Sequence, residues 1–199
     1  MDLRRFIQEN LEVTEVRPSL RLYQAHARSG LGRLAAEDAP YWAYTWAGGM
    51  VFAEAIARQP SLVSGRDVVD FGCGSGLAGI AAAQAGAAQV WLCDVDPHAR
   101  VAAEMNAALN GVAVEICETL PTNVDLILAG DVFYDEAIAD VTLPLLQAAA
   151  RAGSEVLIGD PGRRPLPVPL LTELARFEVR DFGAKEPVAG KLYRLQTGS

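Results

Sequence analysis

A run of alternating glycines behind an apolar stretch constrains this chain more than any other feature of its sequence. Residues 68–71 are three apolar residues and one aspartate, and glycine then stands at positions 72, 74, 76 and 79. The next six residues, 80–85, are mostly alanine, the strongest helix former. The pattern predicts a strand, a tight turn and a helix whose N-terminus points at whatever lies above the sheet. The glycines allow the backbone to approach a ligand, since a Cβ atom there would collide with it.

Two classes of ligand use a turn of this kind. The spacing Gly74-x-Gly76-x-x-Gly79 fits a dinucleotide, whose pyrophosphate binds at a helix N-terminus. The stretch is also similar to the turn that binds S-adenosylmethionine, in which an acid, here Asp70, precedes the first glycine, Gly72. A carboxylate at the strand tip attracts the ammonium and sulfonium of that cofactor and repels a pyrophosphate, so the sequence favours the methyl donor. A structural turn without a ligand is the third alternative.

Composition and charge narrow the class of protein. The chain has 199 residues, of which 51% are hydrophobic, which suits one domain with a sizeable core. Its net charge is −8, without the dense basic stripe that nucleic-acid binding requires. The apolar runs are short of a membrane span, and the first residues lack a signal-peptide core and carry early acids, unlike a transit peptide. We therefore expect a single-domain cytoplasmic protein that binds neither nucleic acid nor a membrane.

Cysteine and histidine usage points away from metals and disulfides. The three cysteines, Cys73, Cys93 and Cys117, are widely spaced and form no C-x-x-C pair. The two histidines, His26 and His98, are isolated from each other. The sequence therefore predicts reduced, buried thiols and no metal site.

Segments that favour strand and helix alternate along the chain. Predicted helices cover residues 3–11, 50–58, 80–85, 97–109, 136–150 and 170–177. Predicted strands cover residues 68–71, 89–94, 112–116, 124–129, 155–159, 177–182 and 191–196, and residues 17–25 are expected to be extended. Five alternations followed by a strand pair predict an α/β fold. We expect an open, doubly wound, mostly parallel seven-stranded sheet with helices on both faces and one antiparallel edge strand.

Acidic residues follow the carboxyl ends of these strands, where open parallel sheets bind ligands. They are Asp70, Asp94, Glu118, Asp131, Asp135 and Asp160. Asp94 lies about 20 residues beyond the glycines, the distance at which a carboxylate accepts hydrogen bonds from a ribose. Asp96 is instead expected to cap the helix that begins at Pro97, and Glu118 to face either an adenine edge or water. An acidic rim attracts cations, which suits a sulfonium donor and a lysine-like acceptor.

An aromatic cluster at residues 40–49 contains two of the three tryptophans and ends in two glycines before a predicted helix. It is either part of the core or one wall of a pocket. Residue types alone favour the core for Trp42 and Trp46.

Four stretches together make the chain resemble a known family. They are residues 40–49, 70–76, 130–136 and 157–163, in matching order and spacing, and the resemblance covers residues 6–196. The chain resembles the class I, seven-β-strand methyltransferases, which use S-adenosylmethionine and have a Rossmann-like fold. More narrowly, it resembles the lysine methyltransferases that act on the β-subunit of electron transfer flavoprotein. One departure is that Thr45, Trp46 and Ala47 stand where relatives tend to have an aromatic residue followed by Trp-Pro.

The resemblance implies a cofactor site and an acceptor site. The implied cofactor residues are Trp46, Asp70, Gly72, Gly74 and Asp94. Glu118 is a further candidate because of its position after a predicted strand. Trp46 would lie at the edge of the cofactor, which reverses its assignment to the core. Asp131 and Tyr134 would lie between the donor methyl and the acceptor lysine, with Asp131 orienting the amine and Tyr134 walling the channel. The whole chain, residues 1–199, would be one domain, in which a helical extension, residues 1–48, closes the cofactor site of a core formed by residues 49–199.

We therefore expect a protein-lysine N-methyltransferase whose substrate is the β-subunit of electron transfer flavoprotein. S-adenosylmethionine is the implied cofactor and S-adenosylhomocysteine the product. A ribosomal protein or a small amine is the alternative acceptor, and a nucleotide-binding or non-catalytic interaction module is the third possibility. Methyltransferases that act on nucleobase or glutamine nitrogens resemble one another in an Asn-Pro-Pro-aromatic motif at the position of residues 131–134, and this chain lacks it.

Overall fold

A computed structural model describes residues 2–34 and 39–197 of the protein. Its α-helices are α1 (Leu3–Asn10), α2 (Ala47–Arg58), α3 (Leu77–Gln84), α4 (Pro97–Leu109) and α5 (Glu136–Arg151). Its strands are β1 (Glu12–Arg17), β2 (Leu20–Gln24), β3 (Asp67–Phe71), β4 (Gln89–Cys93), β5 (Glu115–Cys117), β6 (Leu126–Gly130), β7 (Glu155–Asp160), β8 (Leu171–Val179) and β9 (Val188–Leu195). Within these ranges, no helix is both long and apolar enough to cross a membrane.

The main sheet has seven strands in the order β5-β4-β3-β6-β7-β9-β8. The first five strands run parallel, and β9 runs antiparallel to both β7 and β8. This confirms the predicted mostly parallel α/β sheet with antiparallel pairing at one edge. The strand order reverses between β3 and β6, and such a reversal opens a crevice beyond the carboxyl ends of the strands.

Two core clusters lie on opposite faces of the sheet. Phe52 of α2 and Ile80 of α3 pack with Leu128 on one face, and Leu146 of α5 packs with Ile127 on the other. Ile127 and Leu128 are neighbours on β6, so this strand is apolar on both faces, as a central parallel strand requires. The near-continuous apolar run at residues 124–129 therefore has a packing reason.

The N-terminal extension contains a β-hairpin as well as a helix, which corrects the expected helical extension. Strands β1 and β2 pair antiparallel through a turn at Ser19, whose φ is 66°. The hairpin is fastened to α4, because the amide oxygens of Asn106 and Asn110 accept hydrogen bonds from the backbone N–H groups of Tyr23 and Arg21 at 2.8 and 2.9 Å. The expected extended segment at residues 17–25 is the second half of this hairpin and its turn.

The predicted helix at residues 170–177 is wrong, because this stretch belongs to β8. Leucine, glutamate, alanine and arginine favour helix, but pairing with β9 along the sheet edge overrides that local preference. The burial pattern shows the strand period, since Ala175, Phe177 and Val179 point inward and the residues between them are exposed. The prediction for β5 was also too long, since that strand covers only three residues.

The cysteines are free, as expected. Cys73 and Cys93 are buried and Cys117 is half-buried. Burial raises the pKa of each thiol, which keeps these groups neutral and weakly nucleophilic.

Candidate active site

A pocket lies at the carboxyl ends of β3 and β6, beside the N-terminus of α2. Five of the predicted site residues line it: Trp46, Asp70, Gly72, Gly74 and Asp131. Tyr44, from the segment that precedes α2, also lines it. A roomier groove exists between the β1–β2 turn, α2 and the end of β8, but the Arg17–Glu54 ion pair at 2.9 Å lies in it and the glycine turn does not reach it. The strand-end pocket is therefore the candidate site.

The glycine turn folds largely through its own backbone. Gly72, Gly74 and Gly76 have φ angles of 66°, 50° and 80°, a region that other residues rarely adopt. The backbone N–H of Gly76 donates to the carbonyl oxygen of Cys73 at 2.7 Å. The alternating glycines are thus required by the path of the turn, in addition to any need for space near a ligand.

Asp70 is a buried residue that ties β3 to α3. Its side chain is almost inaccessible, and its Oδ2 accepts a hydrogen bond from the backbone N–H of Gly79 at 2.8 Å. Burial raises the pKa of Asp70 to about 7, and that hydrogen bond opposes the rise. The carboxyl group therefore anchors the first turn of α3 while it also lines the pocket.

Asp94 braces the turn from the next strand. Its Oδ2 accepts from the backbone N–H of Gly74 and its Oδ1 from that of Asp96, both at 2.9 Å. Burial raises the pKa of this carboxyl as well. Each oxygen keeps a further lone pair, so the predicted contact with a ribose hydroxyl stays open to Asp94. Asp96 caps α4, as expected, by accepting from the N–H of His98.

Glu118 and Tyr134, like Asp94, do not line the pocket among the described residues. Glu118 is exposed and forms an ion pair with Arg100, whose Nη2 lies 3.4 Å from Oε2. The ring of Tyr134 lies 5.5 Å from the ring of Tyr41, and 47% of Tyr134 is exposed. Tyr134 thus lies on an outer aromatic rim, and the cofactor role predicted for Glu118 stays a prediction.

Asp131 is held at the end of β6 by contacts with three other segments. Its φ is 54°, a left-handed conformation that aspartate tolerates better than most residues, and its N–H donates to the carbonyl of Gly159 at 3.0 Å. Oδ2 accepts from the backbone N–H of Gly48, and Oδ1 accepts from Nε of Arg163 at 2.7 Å. Burial raises the pKa of Asp131 to about 6, and the Arg163 charge opposes that rise. The group is therefore predominantly ionised near neutral pH.

The N-terminus of α2 reaches this site because residue 48 is glycine. A Cβ atom on Gly48 would lie 2.3 Å from the carbonyl oxygen of Gly159 and 2.4 Å from the nitrogen of Asp131. Two carboxylates from remote segments then satisfy the first N–H groups of α2: Asp181 accepts from Ala47 at 3.0 Å, and Asp131 accepts from Gly48. Negative charge at a helix N-terminus is favourable, so α2 fixes the position of both acids.

Five aromatic side chains form a rim beside Asp131, namely Tyr41, Tyr44, Trp46, Tyr134 and Phe182. Their rings make a chain of contacts in which Phe182 lies 3.8 Å from Tyr44 and 5.3 Å from Trp46, between ring centroids. Sequence reasoning missed Phe182, which belongs to the β8–β9 connection. The one local sign of its role is that Phe182 is a large apolar residue in a loop, just before Gly183.

The two tryptophans of the cluster have separate environments. Trp42 is buried against residues of α1 and α4, as its residue type predicts. Trp46 is half-buried at the pocket, and its indole N–H donates to the carbonyl of Tyr41 at 2.9 Å. The reversed assignment of Trp46 to the pocket edge therefore agrees with its location.

Comparisons with known proteins decide the family. Residues 54–155 match the family model for "Ribosomal protein L11 methyltransferase (PrmA)". The chain is similar to the electron transfer flavoprotein beta subunit lysine methyltransferase of Danio rerio, at 45% identity over 131 residues, which cover 62% of this chain and 51% of that protein. It is 36% identical over 177 residues to the protein of that name from Rattus norvegicus, with 82% of this chain and 69% of the rat protein covered. The chain belongs to the electron transfer flavoprotein beta subunit lysine methyltransferase family.

Membership in this family bears on the earlier alternatives for the glycine turn. The family is one of class I methyltransferases, which favours the methyl donor over a dinucleotide as the ligand of that turn. A solved structure of a proposed RNA methyltransferase from Pyrococcus horikoshii shares the fold, with a TM-score of 0.59 at 17% identity, covering 83% of this chain and 94% of that one. The match spans about half the length of the Danio rerio relative and about two thirds of the rat one.

Proposed function

We propose that this methyltransferase transfers methyl groups from S-adenosylmethionine to lysine side chains of the electron transfer flavoprotein β-subunit. The position of Asp131 carries this proposal. Its carboxylate lines the pocket of the glycine turn and lies beside the aromatic rim, so one group borders both the cofactor space and the route by which a side chain would enter. The names of the relatives support lysine as the acceptor and the flavoprotein subunit as the substrate.

The pocket suits S-adenosylmethionine chemically. The glycine backbone at Gly72 and Gly74 allows close approach, the Trp46 indole offers an apolar face, and the Asp70 carboxyl offers an acceptor for an ammonium. The cofactor supplies an electrophilic methyl group and its own leaving group. The protein therefore has to bind, align and exclude water, rather than activate a nucleophile covalently.

Asp131 is better suited to orient the acceptor amine than to remove its proton. Gly48 and Arg163 already donate to its two oxygens, which favours the carboxylate and lowers its basicity. A free lysine has a pKa of about 10.4, so the amine must lose its proton before transfer. The aromatic rim, including Tyr134, favours the neutral amine by excluding water, and Asp131 then accepts one of its N–H groups. Water takes the released proton in this scheme.

The test is a radiolabelled transfer assay with the purified protein, labelled S-adenosylmethionine and recombinant electron transfer flavoprotein. We expect label on the β-subunit, located on lysine by mass spectrometry. A ribosomal protein preparation is assayed in parallel, because the family-model match makes a ribosomal protein the second candidate substrate. Label confined to ribosomal proteins would replace the proposed substrate, and absence of label with retained donor binding would overturn both candidates. Location in the cytoplasm stays a prediction of the sequence.

A further inference from the structure

Arg163 contacts two residues of the candidate site, Asp131 and Trp46. It ends the stretch at residues 157–163, one of the four that carry the family resemblance. Its Nε donates to Oδ1 of Asp131 at 2.7 Å, and its Nη2 lies 2.6 Å from the same oxygen. The guanidinium also faces the Trp46 ring, with Cζ 5.6 Å from the ring centroid. One cation therefore touches both the acid and the tryptophan of the candidate site.

We propose that Arg163 is a positioning residue for methyl transfer, whose guanidinium keeps the Asp131 carboxylate ionised and fixes its direction toward the acceptor amine. Arg163 is absent from the pocket lining, so it acts through Asp131 rather than on the cofactor or the acceptor. The inference rests on the proposed function only for the activity part of its test.

The backbone of Arg163 is itself fixed by a buried acid. Asp160 is fully buried at the end of β7, and its Oδ1 accepts from the N–H groups of Gly162 and Arg163 at 2.6 and 2.7 Å. Its other oxygen, Oδ2, is buried and has no hydrogen-bond partner in the described residues. A buried carboxylate is costly unless a cation is near, so Asp160 gives the loop a second reason to keep Arg163 in place.

The guanidinium of Arg163 and the Gly48 N–H both favour the ionised form of Asp131. Asp160 lies on the β7 side, and Asp181, from the β8–β9 connection, lies 3.6 Å from Nη2 of Arg163. From α2, Asp131 receives the neutral N–H of Gly48, and Asp70 shares the pocket. Burial and the charge of Asp160 disfavour ionisation of Asp131, and Arg163 opposes them. The Asp131 pKa of about 6 includes that opposition.

The decisive experiment titrates Asp131 directly. Protein labelled with ¹³C at the aspartate carboxyl carbons is followed by NMR, and Asp131→Asn identifies the signal. In Arg163→Gln we expect the Asp131 midpoint to move upward by about one pH unit, because an opposite charge in contact is removed. Arg163→Lys should move it less, since the charge remains but the planar contact is lost. Arg164→Gln is the matched control, because Arg164 is the next residue and its side chain is 92% exposed. In this variant the Asp131 midpoint should equal that of the wild type.

The second readout is activity. For Arg163→Gln we expect the acidic limb of kcat to move upward with the titration, kcat to fall about tenfold or more, and the Kd for S-adenosylmethionine to stay within about threefold. An unchanged midpoint in Arg163→Gln overturns the inference. If that variant does not fold, an unchanged midpoint in Arg163→Lys overturns it instead. The titration needs no acceptor. A shifted midpoint in a protein inactive on the flavoprotein would therefore refute the proposed function alone.

Discussion

The two halves of the candidate site are built in opposite ways. On the cofactor side, Asp70 binds Gly79 and Asp94 binds Gly74, so the carboxylates and their partners lie within 20 residues of each other. On the acceptor side, Asp131 binds Gly48, 83 residues earlier, and Arg163, 32 residues later. One half is closed within a single β3-α3-β4 unit, and the other is closed by contacts between segments that are remote in sequence.

This difference predicts how each half responds to change. The cofactor turn depends on local backbone geometry and tolerates disturbance elsewhere in the fold. The acceptor half depends on α2, β6, β7 and the β8–β9 connection meeting at one point, through Gly48, Asp131, Arg163 and Asp181. Substitutions there should remove transfer while leaving the turn intact, unless they prevent the segments from meeting at all.

The largest effect is expected from Gly48→Ala, which tests whether the segments have to meet. The new Cβ would overlap the Gly159 carbonyl and the Asp131 nitrogen, both of which are backbone atoms that cannot rotate away. We expect the free energy of unfolding to fall by about 3 kcal/mol or more, and transfer activity to be lost with it. Thermal and chemical denaturation measure it.

Gly32→Ala is the matched control for that substitution. Apart from residue 32 itself and its two chain neighbours, no described residue has an atom within 4 Å of the Cβ that it would add. It should leave the midpoint of thermal unfolding unchanged. If Gly48→Ala unfolds at the same temperature as Gly32→Ala, α2 does not need this close approach and the account of the acceptor half is wrong.

Asp131→Asn is expected to separate the two halves most clearly. The amide keeps one oxygen for Gly48 but loses the charge that faces Arg163 and the acceptor amine. We expect methyl transfer to fall about 10²-fold, because the amine is no longer held in line, while the Kd for S-adenosylmethionine changes little. Initial rates and calorimetry measure the two quantities.

Asp140→Asn, on the exposed side of α5, controls for the loss of an acid. It should behave as the wild type in both assays. Equal losses of donor binding and transfer in Asp131→Asn would place Asp131 in the cofactor half instead.

The same contrast explains which features the sequence could reveal. The turn glycines, the Asp96 cap and the βα alternation are written in residues close to each other, and their patterns predicted the structure. Arg163 and Phe182 join the site only through the return of β7 and β9 to the sheet, and no spacing along the chain encodes that contact. The helix predicted at residues 170–177 failed for a related reason, since edge pairing with β9 outweighs the local propensity.

A smaller effect is expected for the pH dependence of stability. Asp131 of the acceptor half and Asp70 of the cofactor half differ in whether a cation lies beside them. Asp131 pairs with Arg163, whereas no cation pairs with Asp70 in the described part of the chain. Burial raises the pKa of Asp70 to about 7, against 3.8 for an unperturbed group. The folded state therefore binds a proton more tightly than the unfolded state. This contribution to stability is fully present below about pH 4 and is lost as the pH rises through about 7.

Asp70→Asn should abolish that contribution while keeping an oxygen for the Gly79 N–H. Between pH 7.5 and 5.5 the wild type should gain about 1 kcal/mol or more relative to the variant. Urea denaturation at the two pH values measures the difference. A parallel response of both proteins would mean that Asp70 keeps its charge over this range.

Glu118→Gln should have the smallest effect, and it tests how far the cofactor half extends. Glu118 is exposed, and its ion pair with Arg100 is of the surface kind that contributes at most about 1 kcal/mol. The structure therefore favours a change of less than about twofold in the Kd for S-adenosylmethionine. Asp94→Asn is the comparison, because an amide presents its NH₂ group to one of two backbone donors and should weaken binding about tenfold. If Glu118→Gln weakens binding as much as Asp94→Asn, the cofactor reaches past β4 to the end of β5. The cofactor half would then depend on the distant β4–β5 pairing, and the contrast between the two halves would narrow.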